Sequence, residues 1–401
     1  MIRYRAGWIL PISAAPIRGG FVTIDRGRIL RVSTGDERPS APAEIETIDL
    51  GHVAVLPGLV NAHTHLELSW MRGKIPPSDS MPAWAQQLIA LRREQSREPS
   101  APIAAAIAEA RTSGTALVGD VANTLAADHL LRDSPLAGAM FYELLGFNTT
   151  EPEQLVANAR DALDALQPQA QWTRTIVPHA PYSVSPDLFR AIGKAAGDRP
   201  MSIHIGESRD EITFLRNATG SWRHLLDRLG AWSDRWEPPG CGPVEYLDRL
   251  GLVNERLMAV HGTQLPDEEL RRLAGAGATL VTCPRSNRWT GAGTPPIEGF
   301  YSSGVRVAIG TDSLASVEDL NLFGELAYMR DLAPHVPAKR LLESATIAGA
   351  TALGFGKEFG TIEPEKRAAL IAVRIPPGVE DVEEYLVGGV EPDAIRWLDT
   401  G

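Results

Sequence analysis

The chain has 401 residues, of which 44% are hydrophobic and 22% charged, an ordinary globular composition with enough apolar material for a large core. A formal net charge of −11 and the lack of any basic stripe argue against nucleic acid as a partner. No stretch reaches the roughly 20 apolar residues of a membrane helix, and two cysteines, Cys241 and Cys283, cannot make a disulfide framework, so a reducing cytoplasm is the expected compartment.

The opening MIRYRAGWILPISAAPIRGG superficially resembles a signal peptide. Pro11 interrupts its apolar run, however, and FVTIDRGRILRV follows with strand-like alternation around an Asp-Arg-Gly turn. From residue 53 the texture changes. Apolar strand-like runs recur in the order VAVLPGLVNAH, TALVGDV, AGAMFYELLG, TRTIVPHA, PMSIHIGE, RLMAVHGT, ATLVTCPRSN and VRVAIGTDS. Most are separated by amphipathic helical sequence; SPDLFRAIGKAAG, for example, carries Ser185 as N-cap and Pro186 at the first helical position. Strands alternating with helices predict parallel pairing, and eight repeats predict a closed (β/α)8 TIM-type barrel over residues 55–357. After the eighth strand come helices and then GTIEPEKRAALIAVRIP, which reads as strands again. Residues 1–54 and 358–401 are therefore expected to form one small β-sandwich domain beside the barrel. Two segments exceed the minimal repeat: residues 66–100, and residues 219–250 with Trp222, Trp232 and Trp236. Both are placed as lids or recognition loops, with plain packing of the tryptophans as the alternative.

The ends of the eight predicted strands carry His63 and His65, Asp120, Glu143, His179, His204 with Glu207, His261, Arg285 with Asn287, and Asp312. In barrels of this kind the C-terminal rim is where chemistry takes place. Side chains two apart on a strand share a face, so His63 and His65 can chelate one ion from a rigid support. His204 and Asp312 arrive from other strands. Three imidazoles and one carboxylate suit a borderline divalent cation such as Zn²⁺, with Fe²⁺ or Mn²⁺ as alternatives.

The pieces PGLVNAHTH, PHAPYSVSP, HIGE, VHG, CPRSN and GTDS occur in an order that resembles the amidohydrolase superfamily, in its cytosine/guanine-deaminase-like branch. The resemblance covers almost the whole chain. It implies that His63, His65, His204 and Asp312 bind one metal, and that Glu207 and His261 are catalytic beside the attacking water. Two-metal members carry a carboxylated lysine on the fourth strand; TRTIVPHAPYS has none, which favours a single ion. One departure is Ala369, where the family usually has an acidic residue, but it lies in the β domain.

The implied chemistry is hydrolytic deamination of a purine-like or other aminated N-heterocycle. Asp312 accepts the water's proton, His261 orients the water and Glu207 protonates a ring nitrogen. His179 is expected to hydrogen-bond the ring, or else to close the fourth strand. Glu67 is expected to hold a ribose hydroxyl or ring edge, or else to fix its loop. Arg285 and Asn287 are placed as substrate-binding, with loop support alone as the alternative for Asn287. Cys283 and Trp289 read as packing. Within the branch the chain most resembles the aminodeoxyfutalosine deaminases of menaquinone biosynthesis, on NAHTHLELSW with a following Pro-Pro. That substrate carries a benzoate, for which Arg72, Arg209, Arg285 and Arg288 are the candidate cations. Alternatives are an adenosine, S-adenosylhomocysteine or guanine deaminase, a cyclic-amide hydrolase, or a triazine-type dehalogenase. A binding-only barrel would lack ligands, and none is missing. The expected partner is a small molecule, with no nucleic acid and no membrane; a homodimer is among the assemblies left open.

Overall fold

The structure, a computed structural model, describes residues 1–34, 46–94 and 99–398. Residues 95–98 of the long connection and the last three residues of the C-terminal segment lie outside the described residues.

Eight parallel strands build the barrel: Leu59–Thr64, Thr115–Ala122, Ala137–Leu144, Trp172–Pro178, Met201–Ile205, Leu257–His261, Thr279–Thr282 and Arg306–Ile309. Most are buried along their whole length, as expected of parallel strands covered by helices on the outside and by each other within. The first four pair as one parallel sheet and the last four as another. Two seams join the sheets at their C-terminal ends. The His204 N–H donates to the His179 carbonyl at 3.0 Å, linking the fourth strand to the fifth. The Asp312 N–H donates to the His63 carbonyl at 3.0 Å, and Thr64 Oγ1 to the Asp312 carbonyl at 3.0 Å, linking the eighth to the first. The backbone that joins the two sheets is therefore the backbone that carries His63, His179, His204 and Asp312.

Both chain ends contribute to the small β domain. One of its sheets contains Ile2–Arg5, Phe21–Asp25, Arg28–Ser33 and Glu46–Asp49; the other contains Trp8–Ile9, Ile17–Arg18, Val53–Pro57, Leu370–Arg374 and Ile395–Trp397. Leu370–Arg374 runs antiparallel to Val53–Pro57, which ties the C-terminal segment to the N-terminal one. The two-residue period of these strands serves two cores at once. Val53, Val55, Leu370 and Ala372 pack with Val22 and Ile24 inside the sandwich, while Ala54, Leu56, Ile371 and Val373 join the barrel's core.

VAVLPGLVNAH reads as one strand in the sequence, but the structure breaks it at Gly58 into a sandwich strand and a barrel strand. A Cβ at Gly58 would stand 2.7 Å from both Ala116 Cβ and the Trp397 ring, so the two domains meet there only over a glycine. Both halves are buried, and hydrophobicity alone could not show the break. The helix Pro186–Ala196 begins as predicted, with Ser185 Oγ accepting from the Leu188 N–H at 3.2 Å and Pro186 in the first turn.

Two helices outside the minimal repeat flank the barrel mouth, Met81–Glu94 after the first strand and Ser221–Leu229 after the fifth. In the tryptophan-rich segment, Trp222 stacks on Tyr182 with ring centroids 3.8 Å apart, and Trp236 stacks on Phe214 at 4.8 Å. Trp232 and Trp236 thus pack the wall behind the mouth, while Trp222 lines the mouth itself. Among the described residues, no helix is long and apolar enough to cross a membrane.

Candidate active site

His63 and His65 leave the end of the first barrel strand on the same side, as their spacing requires, and their Nε2 atoms face each other at 3.2 Å. Asp312 Oδ1 lies 3.5 Å from His65 Nε2 and 3.9 Å from His63 Nε2. The His204 ring sits 4.9 Å from that of His63, centroid to centroid. His204 Nδ1 is 3.1 Å from the His179 carbonyl oxygen and 3.3 Å from Glu143 Oε1, so its proton points there and Nε2 keeps a bare lone pair. Burial, reinforced by neighbouring imidazoles, pushes His63 well below the ordinary histidine value; burial first also takes His65 down to about 3 and His204 to about 4. The rings are therefore neutral. Lone pairs converging with a buried carboxylate, with no proton to hold them together, make a donor set that a divalent cation fits. Burial also pushes Asp312 up, a cost that a cation would relieve.

Asp312 is fixed on its far side. Its Oδ1 accepts from the Ser313 N–H at 2.8 Å, and Oδ2 accepts from the hydroxyls of Ser286 and Ser316. Its backbone φ is 63°, and that of His261 is 76°. Both lie in the left-handed region, which costs a non-glycine residue of order 1–3 kcal/mol and persists only where the surroundings enforce it.

His261 and Glu207 stand beside this cluster. Asn287 Nδ2 lies 3.0 Å from His261 Nδ1 and donates to it, which places the ring proton on Nε2. That Nε2 is 3.6 Å from Glu207 Oε1. Glu207 is 3% exposed, and burial, then the charges of Asp312 and Glu211, raise its carboxyl well above the usual range, which favours the protonated form. Sequence reasoning missed the group that aims it. Glu211 Oε1 accepts from the Gly206 N–H at 2.9 Å and Oε2 from the Glu207 N–H at 3.0 Å, clamping the turn that presents Glu207. The signal was present in SRDE, a capping-box pattern: Ser208 caps the helix Arg209–Asn217, and the glutamate three residues on reaches back past the cap.

These groups form the floor of a cleft of about 420 Å³, lined by His65, Glu143, His179, His204, Glu207, His261 and Asp312, with apolar walls above. The size suits a small-molecule ligand. His179 lines it, and its Nδ1 donates to Ser183 Oγ at 2.6 Å, since Ser183 gives its own hydrogen to the Ala180 carbonyl; Nε2 is left as the acceptor. Three residues expected to contact substrate do not line this cleft. Glu67 lies beneath the wall, its oxygens taken by the N–H groups of Asn123 and Thr124, by Thr124 Oγ1 and by Arg92. Arg285 points away, held by Glu325 at 2.8 Å and Asp319 at 2.9 Å. Asn287 is fully buried and serves His261. Glu143, placed at a strand end but given no role in the sequence, lines the cleft and braces His204, with Asn123 Nδ2 donating to its other oxygen at 2.8 Å.

Comparison with known proteins agrees with this architecture. The sequence profile of the Amidohydrolase family matches residues 54–390. The chain is 29% identical to a 5-methylthioadenosine/S-adenosylhomocysteine deaminase of Moorella thermoacetica, over 94% of this chain and 88% of that protein. It is 32% identical to an aminodeoxyfutalosine deaminase of Deinococcus radiodurans, over 75% of this chain and 73% of the relative. Its structure superposes on a zinc-bound adenosine deaminase from Xanthomonas campestris with a TM-score of 0.82 at 28% identity, covering 98% of this chain and 90% of the other. With its histidine-rich metal site at the mouth of a TIM-type barrel, the chain belongs to the amidohydrolase family, as a hydrolase of carbon–nitrogen bonds.

Proposed function

We propose that the chain is a metal-dependent aminohydrolase that replaces the exocyclic amino group of a purine-like ring by a carbonyl, releasing ammonia. The observation that carries this reading is Glu207, a carboxyl buried 3.6 Å from His261 Nε2, where burial favours its protonated form, beside the converging donors of His63, His65, His204 and Asp312. A ring nitrogen next to an amino-bearing carbon needs such an acid.

His63, His65, His204 and Asp312 would hold the ion, with zinc favoured by the donor set and by the zinc-bound neighbour. When bound, the ion supplies a water that ionises near neutral pH. Glu207 gives its proton to the ring nitrogen, which makes the adjacent carbon electrophilic. Water adds to that carbon. Asp312 takes the water's proton and passes it to the amino group, which leaves as ammonia. His261 Nε2–H donates to the oxygen as charge develops on it. The hydroxyl proton of the intermediate returns to Glu207, so the product is a ring carbonyl beside a ring N–H and the enzyme is restored.

For the natural substrate, the Moorella and Deinococcus relatives both support an adenine nucleoside altered at its 5′ end. Aminodeoxyfutalosine, with a role in menaquinone synthesis, is the specific substrate favoured by sequence. None of the four arginines expected to meet its benzoate lines the cleft. Arg72 pairs with Glu109 and Arg285 with Glu325, while Arg209 and Arg288 border other surface depressions. Ammonia release from a panel of adenosine, 5′-methylthioadenosine, S-adenosylhomocysteine, aminodeoxyfutalosine, guanine and cyclic amides, using metal-loaded protein, tests the reading. Turnover of an adenine nucleoside supports it; hydrolysis of the cyclic amides alone would refute it.

A further inference from the structure

The upper half of the cleft has a composition that the chemistry below does not explain. Trp84, Leu88 and Ile89 on the helix Met81–Glu94 face Leu225, Leu226 and Leu229 on the helix Ser221–Leu229 across the cavity. Leu88, Ile89 and Leu229 are only half-buried, so the protein itself leaves part of this apolar wall uncovered. Leu145, at the rim, is 48% exposed and is one of three large hydrophobic residues so exposed among those described. Apolar surface kept open to water over a catalytic floor is surface that a ligand can cover, at about fourfold in affinity per buried methylene.

The charges in the cleft point the same way. Glu143, Glu207 and Asp312 all line it. Among the described residues, Arg92 is the one lining residue with a permanent positive charge, and it is already engaged, its guanidinium donating to Glu67 at 3.0 Å and to Asn123 Oδ1 at 2.7 Å. A carboxylate seated between the two helices would lose its hydration against leucines and, among the described lining residues, meet no cation left for it.

We propose that the substrate carries, remote from its reacting ring, an uncharged apolar group and no carboxylate, and that this group packs between the helices Met81–Glu94 and Ser221–Leu229. The inference rests on the deaminase reading only for the identity of the ring. It counts against benzoate- or amino-acid-bearing nucleosides as the preferred substrate of this chain.

A matched pair of probes tests it: 5′-isobutylthio-5′-deoxyadenosine and its carboxymethylthio isostere, which differ in a terminal isopropyl against a carboxylate. Two readouts are taken on metal-loaded protein, kcat/KM for ammonia release and Kd by quenching of tryptophan fluorescence. The isobutylthio compound should lead by at least about tenfold in both. Leu88→Arg, and independently Leu229→Arg, should narrow that gap by about tenfold while metal content and melting temperature hold. Equal or better handling of the carboxylate by the unaltered protein overturns the inference, even if ammonia is released and the deaminase reading stands. A tenfold gap in Kd with no ammonia from either probe leaves the apolar subsite standing and counts against the deaminase reading, which the wider substrate panel then decides. Binding of neither probe overturns the inference, whatever the panel shows.

Discussion

Glu207→Gln isolates the proton on which the proposed chemistry turns. Gln keeps the volume of the side chain and can still donate a hydrogen bond to a ring nitrogen, but it has no proton to transfer. Glu207 is 3% exposed with its Oε1 3.6 Å from His261 Nε2, and its backbone is clamped by Glu211, so the replacement has little room to move. General acid catalysis contributes about 10²–10⁴-fold, which at 1.36 kcal/mol per tenfold is roughly 3–5 kcal/mol of barrier. The variant should lose that factor in kcat, with KM changed far less and with the metal content of the purified protein unaltered. Stability should not fall. A carboxyl whose folded value is raised keeps its proton while the unfolded chain gives it up, so its contribution declines as pH rises above the ordinary glutamate value, and Gln removes that decline. Steady-state ammonia release, elemental analysis and thermal melts at neutral pH measure the three quantities. A kcat within about tenfold of the unaltered enzyme, on a substrate the enzyme turns over, would refute the assigned role.

Asn287→Ala should reduce kcat by about 10–100-fold, because His261 loses the donor that keeps its proton on Nε2; pH–rate profiles of the two proteins distinguish this from a folding defect. Chelation should lower the melting temperature, since a ligand at 1,000 times its Kd stabilises by about 4 kcal/mol, and one equivalent of Zn²⁺ per chain should restore it; recovery needing two equivalents would count against a single-ion site. Gly58→Ala should cost about 1–3 kcal/mol in urea unfolding, as its Cβ would stand 2.7 Å from Ala116 Cβ and the Trp397 ring; a neutral effect would show that the junction between sandwich and barrel is looser than described.

Much of this molecule is legible in one dimension because its chemistry follows local periodicity. Strand-and-helix alternation locates eight strand ends, and a two-residue spacing puts His63 and His65 on one face whatever lies opposite. The SPD start of the helix Pro186–Ala196 and the turn after strand five are equally local, set by caps within three or four residues. Side-chain destination is a different kind of quantity. Arg285 and Glu67 both follow barrel strands, yet Arg285 is drawn off by Glu325, 40 positions later, and Glu67 by the N–H groups of Asn123 and Thr124 more than 50 positions away. Glu143 shows the converse: a strand-end acid with no role assigned from sequence, which the fold sets against His204.

The sequence by itself determined the repeat, the rim and the residue types available there, since these depend on hydrophobic period, cap chemistry and spacing within a few residues. Only the tertiary structure decided which rim groups converge, which are turned aside and what lies above them. The seams that bring His179 to His204 and His63 to Asp312, and the two helices that make the mouth apolar, are contacts between segments tens to hundreds of residues apart. Such contacts depend on which partner reaches a side chain first in space, and no pattern along the chain carries that information.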